Sequence, residues 1–322
     1  MIKRLRAIIG LAITLFVTCA AAQDDWPARP VRVVVPSSPG GGTDLYARLL
    51  AQALTESLKQ QFVVDNRPGA SGNIGAEIAA RATPNGYTLL VSANPALTIN
   101  PTLFRKLPYN AERDFVAIAR GVIGPAVLCV NPALPVKTLA DLLALGKREP
   151  GTLAFGSAGI GSPTYLGVVM LEEASGAKFL HVPYKGVGPA YQDLLAGQIK
   201  FMLPDLASVL PHIKAGKAVP LAVTQSTPLL PGTPTIAQAG YPTVEVITSF
   251  SVVAPTGTPR AIVQRLSAEI VKAMKAPWLA ERLESQALIP VFDTPEQAAA
   301  GLKAERERWA AFIRRNGIVQ EQ

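Results

Sequence analysis

The chain has 322 residues, 49% of them hydrophobic and 17% charged, with a net charge of +8 and two cysteines. That length accommodates two domains with their own cores, and the single cysteine left after an N-terminal leader excludes an internal disulfide framework. No Lys/Arg run is dense enough for a nucleic-acid or membrane patch, so the balance of +5 that remains when three leader cations are taken from +8 implies solvation with a slight attraction for anions.

Lys3, Arg4 and Arg6 form a basic n-region, Ala7 to Thr18 is an apolar stretch of signal-peptide length, and Ala20-Ala21-Ala22 supplies small residues for cleavage. Residues 1–22 are therefore expected to be a signal peptide cut near Ala22, which exports the mature chain. A retained anchor would need roughly 20 apolar residues, more than this run offers before Gln23-Asp24-Asp25. Lipidation at Cys19 is the alternative, disfavoured because Phe16 and Thr18 are poor substitutes for the aliphatic and small residues expected before a lipidated cysteine. Cys129, inside the apolar run Ala126-Val127-Leu128-Cys129-Val130, reads as a small buried residue and not as a reactive thiol.

Past the leader, short β-branched runs alternate with helical stretches, the pattern of an α/β protein with parallel strands. Val31–Val35 is the first predicted strand. After a Gly-rich loop, Leu45, Leu49, Ala53 and Leu58 share one stripe of a helix running to about Gln60. Strands follow at 61–65 and 87–92, and 122–130 reads as one long strand crossing the molecule. Thr138 opens a helix through a Thr-x-x-Asp capping box ending at Asp141. The pattern then restarts with a strand over 152–156, a second Gly-rich loop, and a helix capped by Ser162 with Pro163 in its first position. Further strands are predicted over 198–203 and 219–223. The stripe Ile262, Leu266, Ile270 and Met274 marks a helix after Thr258-Pro259, and a last helix runs from Thr294-Pro295 to near Gly317. Two similar α/β halves without a flexible linker imply strands that cross between lobes, and a cleft between those lobes.

The chemistry is concentrated in the two Gly-rich loops. In Pro36-Ser37-Ser38-Pro39-Gly40-Gly41-Gly42-Thr43-Asp44, three glycines let successive backbone N–H groups converge without Cβ interference. The following helix adds its positive end, which makes a seat for a carboxylate or phosphate. Ser157-Ala158-Gly159-Ile160-Gly161-Ser162-Pro163-Thr164 stands in the same strand-to-helix position. With both loops at the carboxyl ends of their strands, two anion seats face each other across the cleft; taken singly, each loop is equally a tight turn capping a helix. The run Asp65-Asn66-Arg67-Pro68-Gly69-Ala70-Ser71-Gly72-Asn73-Ile74-Gly75 reads first as a turn-rich loop leading into a helix and second as a cleft or partner surface.

Enzyme signatures are weak. Neither loop ends in Gly-Lys-Ser/Thr or keeps G-x-G-x-x-G spacing, and Phe155-Gly156-Ser157-Ala158-Gly159 has phenylalanine where a nucleophile elbow needs its first glycine. Ser157 or Ser162 with His181 is the available hydrolase pairing, and it fails if the His181 ring lies beyond reach of both hydroxyls. His212 falls in a predicted solvated helix. Two histidines, one mature cysteine and scattered carboxylates give no metal-ligand spacing, so no catalytic residue, metal or cofactor is expected.

Several further segments recur in a fixed order from about Trp26 to the last helix. They are Pro39-Gly40-Gly41-Gly42-Thr43-Asp44 with Ala47-Arg48, Asn66 through Gly75, Pro84-Asn85-Gly86-Tyr87-Thr88-Leu89 and Leu107-Pro108-Tyr109. Gly159-Ile160-Gly161-Ser162, His181-Val182-Pro183-Tyr184-Lys185-Gly186 and Ala254-Pro255-Thr256-Gly257-Thr258-Pro259 complete the series. In these segments the chain resembles the substrate-binding proteins of tripartite tricarboxylate transporters, also called the Bug family.

The resemblance implies a two-lobed α/β Venus-flytrap of the type II periplasmic-binding-protein kind, whose cleft holds a carboxylate through backbone groups and hydroxyls, partly by bridging water. Carried over by motif, the carboxylate seat is Gly41, Gly42, Thr43 and Asp44 on one side and Ser157, Gly159, Gly161 and Ser162 on the other, with Ser38, Ile160 and Thr164 beside them. Asp44 next to a bound anion would repel it, so capping the helix or fixing the loop is its stronger reading. Asn94, Asp205 and Phe250 are the candidates for the ligand's far end, Asp205 either taking an ammonium group or bonding nearby N–H groups. Ser37 and Tyr165 depart from the family, which often has Phe and His there, so ligand identity is not transferred. The expected organisation is lobe 1 over 23–127 and 249–322 and lobe 2 over 128–248. The expected protein is a monomer that takes a di- or tricarboxylate, an acidic amino acid or an aromatic acid. Its closed form would meet integral-membrane transporter subunits or, alternatively, a sensor kinase, with no nucleic-acid partner.

Overall fold

The computed structural model describes residues 26–320, and the signal-peptide and Cys19 expectations lie outside the described residues. Two sheets organise the chain. In the first, β1 (Val31–Val35) pairs in parallel with β2 (Phe62–Asn66) and β3 (Thr88–Ala93), while β10 (Ile247–Pro255) runs antiparallel between β3 and β4 (Phe115–Pro125), with β11 (Ile289–Pro290) at the edge. The second sheet has the order β7 (Leu180–Pro183), β6 (Ala154–Ser157), β8 (Phe201–Met202), β5 (Val127–Val130), β9 (Val219–Val223).

Both faces of each sheet are covered, which is why the strands read as continuous apolar runs and not as alternation. In the first sheet Val33 and Val35 pack with Tyr46, Leu50 and Leu54 of α1 (Gly42–Leu58), together with Ile262, Leu266 and Ile270 of a later helix at Arg260–Met274. Val34, one residue out of phase, faces Ala76 and Ala79 of α2 (Asn73–Ala80) and Ala298 and Leu302 of the C-terminal helix Pro295–Arg315. The second sheet repeats the arrangement. Leu128 and Val130 turn toward Leu139, Leu142 and Leu143 of the helix at Leu139–Arg148, and Val127 and Cys129 turn toward Tyr191, Leu194, Val209 and Leu210 of the opposite layer. Cys129 is fully buried, which pushes its thiol up to about 12 and leaves it an unreactive core residue.

The long strand expected over 122–130 is two strands. β4 begins earlier, at Phe115, and ends at Pro125; β5 starts at Val127 in the other sheet, with only an isolated bridge at Ala126 between them. Pro125 has no N–H to continue a ladder, so the chain changes sheet there. It returns through β10, whose nine residues from Ile247 are nearly all buried and form the centre of the first sheet. The strand expected over 198–203 is reduced to Phe201–Met202, because Gln198 and Ile199 give their N–H groups to the Asp193 carbonyl in a helix-ending turn.

The C-terminal helix also ties the two sheet bodies together. Its Trp309, Phe312 and Ile313 bury against Leu166 of the helix Pro163–Ser175 that follows the second Gly-rich loop. Among the described residues no helix is long and apolar enough to cross a membrane.

Candidate functional site

A cavity of about 350 Å³ lies between the sheets, walled by the two Gly-rich loops, the segment Pro68–Gly72 and the segment Pro183–Val187. The first loop opens α1 at Gly41, an N-cap in extended conformation that carries no side-chain cap bond. Thr138, Ser162 and Thr294 cap their helices with hydroxyls, while the helices Asn73–Ala80, Arg260–Met274 and Pro277–Glu284 also start without a side-chain cap bond. The first-turn N–H groups of α1, beginning with Gly42 and Thr43, are thus left for a group in the cavity, at the positive end of a seventeen-residue helix.

Asp44 shapes this loop from behind and does not line the cavity. Its Oδ2 accepts from the Gly40 N–H and from Arg48 Nε, both at 3.0 Å, and its Oδ1 accepts from Asn66 Nδ2 at 3.0 Å. Burial alone would raise its carboxyl, but the bonds from Arg48, Gly40 and Asn66 outweigh that and hold it below the ordinary value. Asn66 also donates to the Ser37 carbonyl at 3.0 Å, so one amide braces both ends of the loop.

The second loop is fixed by hydroxyls. Ser162 caps its helix by accepting from the Tyr165 N–H at 3.2 Å and donates to the Gly159 carbonyl at 2.7 Å. Thr164 Oγ1 accepts from the Ala158 N–H. Ser157 is fully buried beneath the wall: its Oγ accepts from the Gly159 N–H at 3.1 Å and lies 2.7 Å from His181 Nε2. His181 packs against Phe155 (4.9 Å, stacked) and Tyr165 (4.5 Å, tilted), and burial lowers it to about 4, so the ring is neutral where it hydrogen-bonds Ser157. The serine and histidine are therefore within reach of each other. Ser157 does not line the cavity, and no carboxylate hydrogen-bonds the other ring nitrogen among the described residues. Gly161 also stays out of the wall. Its φ is +83°, and a Cβ there would collide with Leu103.

Of the residues singled out in the sequence, Ser38, Gly41, Gly42, Thr43, Gly159, Ile160, Ser162, Thr164, Asp205 and Phe250 line the cavity. Asp44, Asn94, Ser157 and Gly161 stand outside that lining. Asn94 is consumed by a buried network. Its Oδ1 accepts from the Ser249 N–H at 2.9 Å, its Nδ2 donates to Ser249 Oγ and to the Glu305 carboxylate, and Ser249 Oγ donates to Glu305 at 2.9 Å. Burial raises the Glu305 carboxyl against the lowering effect of those bonds.

Sequence reasoning placed Pro68–Gly72 second as a wall and passed over Pro95, Ala96, Thr248 and most of Pro183–Val187. The backbone of this wall is unusual: four consecutive residues, Gly69, Ala70, Ser71 and Gly72, all have positive φ, two of them without being glycine. The conformation is held by Asn100, whose Nδ2 donates to the Ser71 carbonyl at 2.9 Å.

Residues 46–318 match the family model described as the tripartite tricarboxylate transporter family receptor. The chain belongs to that family. Protein BugT of Bordetella pertussis is 37% identical over 318 residues, covering 98% of each chain. Among solved structures, Rpa4515 of R. palustris, determined with adipate, is 34% identical, with a TM-score of 0.89 over 92% of this chain and all of that one. MatC of Rhodopseudomonas palustris, with bound malate, is 30% identical, with a TM-score of 0.85 over 89% of this chain and all of that one. The family is one of periplasmic substrate-binding receptors and not of enzymes, and the two-sheet α/β architecture matches its solved members.

Within this receptor the family segments acquire physical roles. Arg48 and Asn66 hold Asp44, and Tyr109, from Leu107-Pro108-Tyr109, reaches Asn73 Oδ1 at 3.0 Å and the Ala96 carbonyl at 2.8 Å behind the wall. Tyr184 binds Asp193 at 2.6 Å, beneath the wall segment Pro183–Val187. Among the described residues there is no group of three or more His, Cys, Asp or Glu that could hold a metal.

Proposed function

We propose that this receptor captures a small carboxylate in the cavity between two closing lobes, 23–127 with 249–322 and 128–248, and delivers it to the integral-membrane subunits of a tripartite transporter. One observation carries the reading: the uncapped first turn of α1 and the hydroxyl-fixed loop from Ala158 to Thr164 open onto the same cavity from opposite sheets. Donors preorganised in this way complement an anion without reorganising when it arrives. The adipate and malate held by the two Rhodopseudomonas relatives support an acid as the ligand class. His181 supports the loop instead of activating a nucleophile, since its partner Ser157 has no exposure to the cavity.

The test is thermal unfolding of the mature protein against a panel of carboxylic acids and their amides. A ligand present at about 100 times its Kd adds ~2.7 kcal/mol, which moves Tm by several degrees. The shift is expected with at least one acid and is expected to vanish when that acid is amidated. A shift confined to uncharged compounds would refute the carboxylate reading.

A further inference from the structure

A seat for a plain acid should be flanked by donors alone, yet in this wall a carboxylate stands beside it. Asp205 is 7% exposed and lines the cavity. Its Oδ1 accepts from the Ser208 N–H at 3.0 Å as the N-cap of the helix Leu206–Lys214, and its backbone bridges Ala126 at the crossing between sheets. Both the side chain and the chain that carries it are therefore fixed.

Asp205 is also in contact with the anion seat. A Cβ added at Gly42 would run into Asp205 Oδ1, the oxygen that accepts from Ser208, and would lie 3.0 Å from Asp205 Cγ and 3.1 Å from Phe250 Cζ, so the glycine at the first position of α1 is what lets this carboxylate and the first helical turn share one wall. Burial raises the Asp205 carboxyl against the lowering effect of the Ser208 hydroxyl and N–H, no lysine or arginine charge acts on it, and among the described residues no hydrogen bond is made to its second oxygen. Lys185, the cation among the lining residues, is exposed, and its carbonyl is taken by Ser38. Donors and an acceptor thus stand side by side, where a ligand needs an anion and a hydrogen-bond donor on neighbouring atoms.

On the carboxylate reading above, we infer that the ligand is an α-amino acid, with its carboxylate on the N–H groups of Gly42 and Thr43 and its α-ammonium on the free oxygen of Asp205. One carbon separates the two groups in such a ligand, which suits a donor set and a carboxylate in van der Waals contact. A dicarboxylate placed there brings a like charge against a buried, unpaired anion, an arrangement that a low-dielectric site opposes. An ammonium satisfies the same oxygen with a charge-assisted bond.

The experiment is isothermal titration of the twenty L-α-amino acids into the mature receptor. For the tightest of them, its α-hydroxy and desamino counterparts are titrated as well, each on wild type and on D205N. Asparagine retains capping ability, so the variant keeps the start of its helix. The expected result is that the amino acid binds at least tenfold more tightly than either counterpart, and that D205N narrows the gap to threefold or less. A counterpart that binds wild type as tightly as the amino acid would overturn the inference, and so would a preference that survives D205N unchanged. Succinate or adipate binding while no amino acid binds overturns this inference and leaves carboxylate capture standing. If neither plain acids nor amino acids bind, both readings fall.

Discussion

His181 shapes the cavity from outside it. Its neutral ring hydrogen-bonds Ser157, and Ser157 in turn accepts from the Gly159 N–H, so two bonds set the direction of the second loop. Protonation would leave the ring a donor only and place a charge in this buried site beside the Ser157 hydroxyl. The unfolded chain takes this proton near the ordinary 6.5, whereas burial delays it to about 4 in the fold. Stability from this group is therefore complete above pH 6.5 and declines as pH falls from about 6.5 to 4, where the unfolded state binds more protons. The variant His181→Gln keeps an acceptor without the titration. Its Tm is expected to fall less steeply than that of wild type across this window, while the two run parallel above pH 7. Coincident slopes between pH 4 and 6.5 would show that another group carries the acid sensitivity. Buried carboxylates such as Glu305, raised by burial, act with the opposite sign and are common to both proteins.

At the scale of elements, helix starts separate stability from binding. Ser162 caps the helix Pro163–Ser175 and also ties Gly159 in the cavity wall, while Thr294 caps the C-terminal helix through a capping box with Gln297, away from the cavity. Removing either hydroxyl costs about 1 kcal/mol of stability. Ser162→Ala is therefore expected to lower both urea stability and ligand affinity, and Thr294→Ala to lower stability by a similar amount with affinity unchanged. Equal affinity losses in the two variants would mean that the effect is general softening and not the position of Gly159. These caps were legible in the sequence because a cap is decided within four residues, and Thr138, Ser162 and Thr294 all stand where reading placed them. The same locality made the Gly-rich loops legible as wall elements. What escaped is what distance decides. β10 shows no alternation because it is buried on both faces between β3 and β4. The partner of the Asn94 amide, Glu305, stands 211 positions away. The positive-φ run at Gly69–Gly72 is stabilised by Asn100, which no local pattern links to it.

The whole molecule is described with its two sheet bodies in contact across the cavity mouth. Ser38 Oγ donates to the Lys185 carbonyl at 3.0 Å, and Ser71 Oγ donates to the Ile160 carbonyl at 3.2 Å. Each bond joins a loop of the first sheet to a loop of the second, so both must break before a ligand leaves. Arg315 and Glu173 also span the two bodies at 3.3 Å, but their side chains are 63% and 44% exposed, and an exposed pair of this kind contributes little. A neutral hydrogen bond contributes about 1 kcal/mol net, so losing one raises the escape rate about fivefold, and losing both about thirtyfold if the effects add. Stopped-flow release of the acid identified by thermal shift measures this directly. Ser38→Ala with Ser71→Ala is expected to speed dissociation by that order and to leave the association rate within about twofold, because entry occurs through an open form in which neither bond exists. Arg315→Ala should leave both rates unchanged. An unaltered dissociation rate in the double serine variant would place the closing energy in the ligand's own contacts, with the serines reduced to lining; a slowed association rate would mean that the serines order the loops before the ligand arrives.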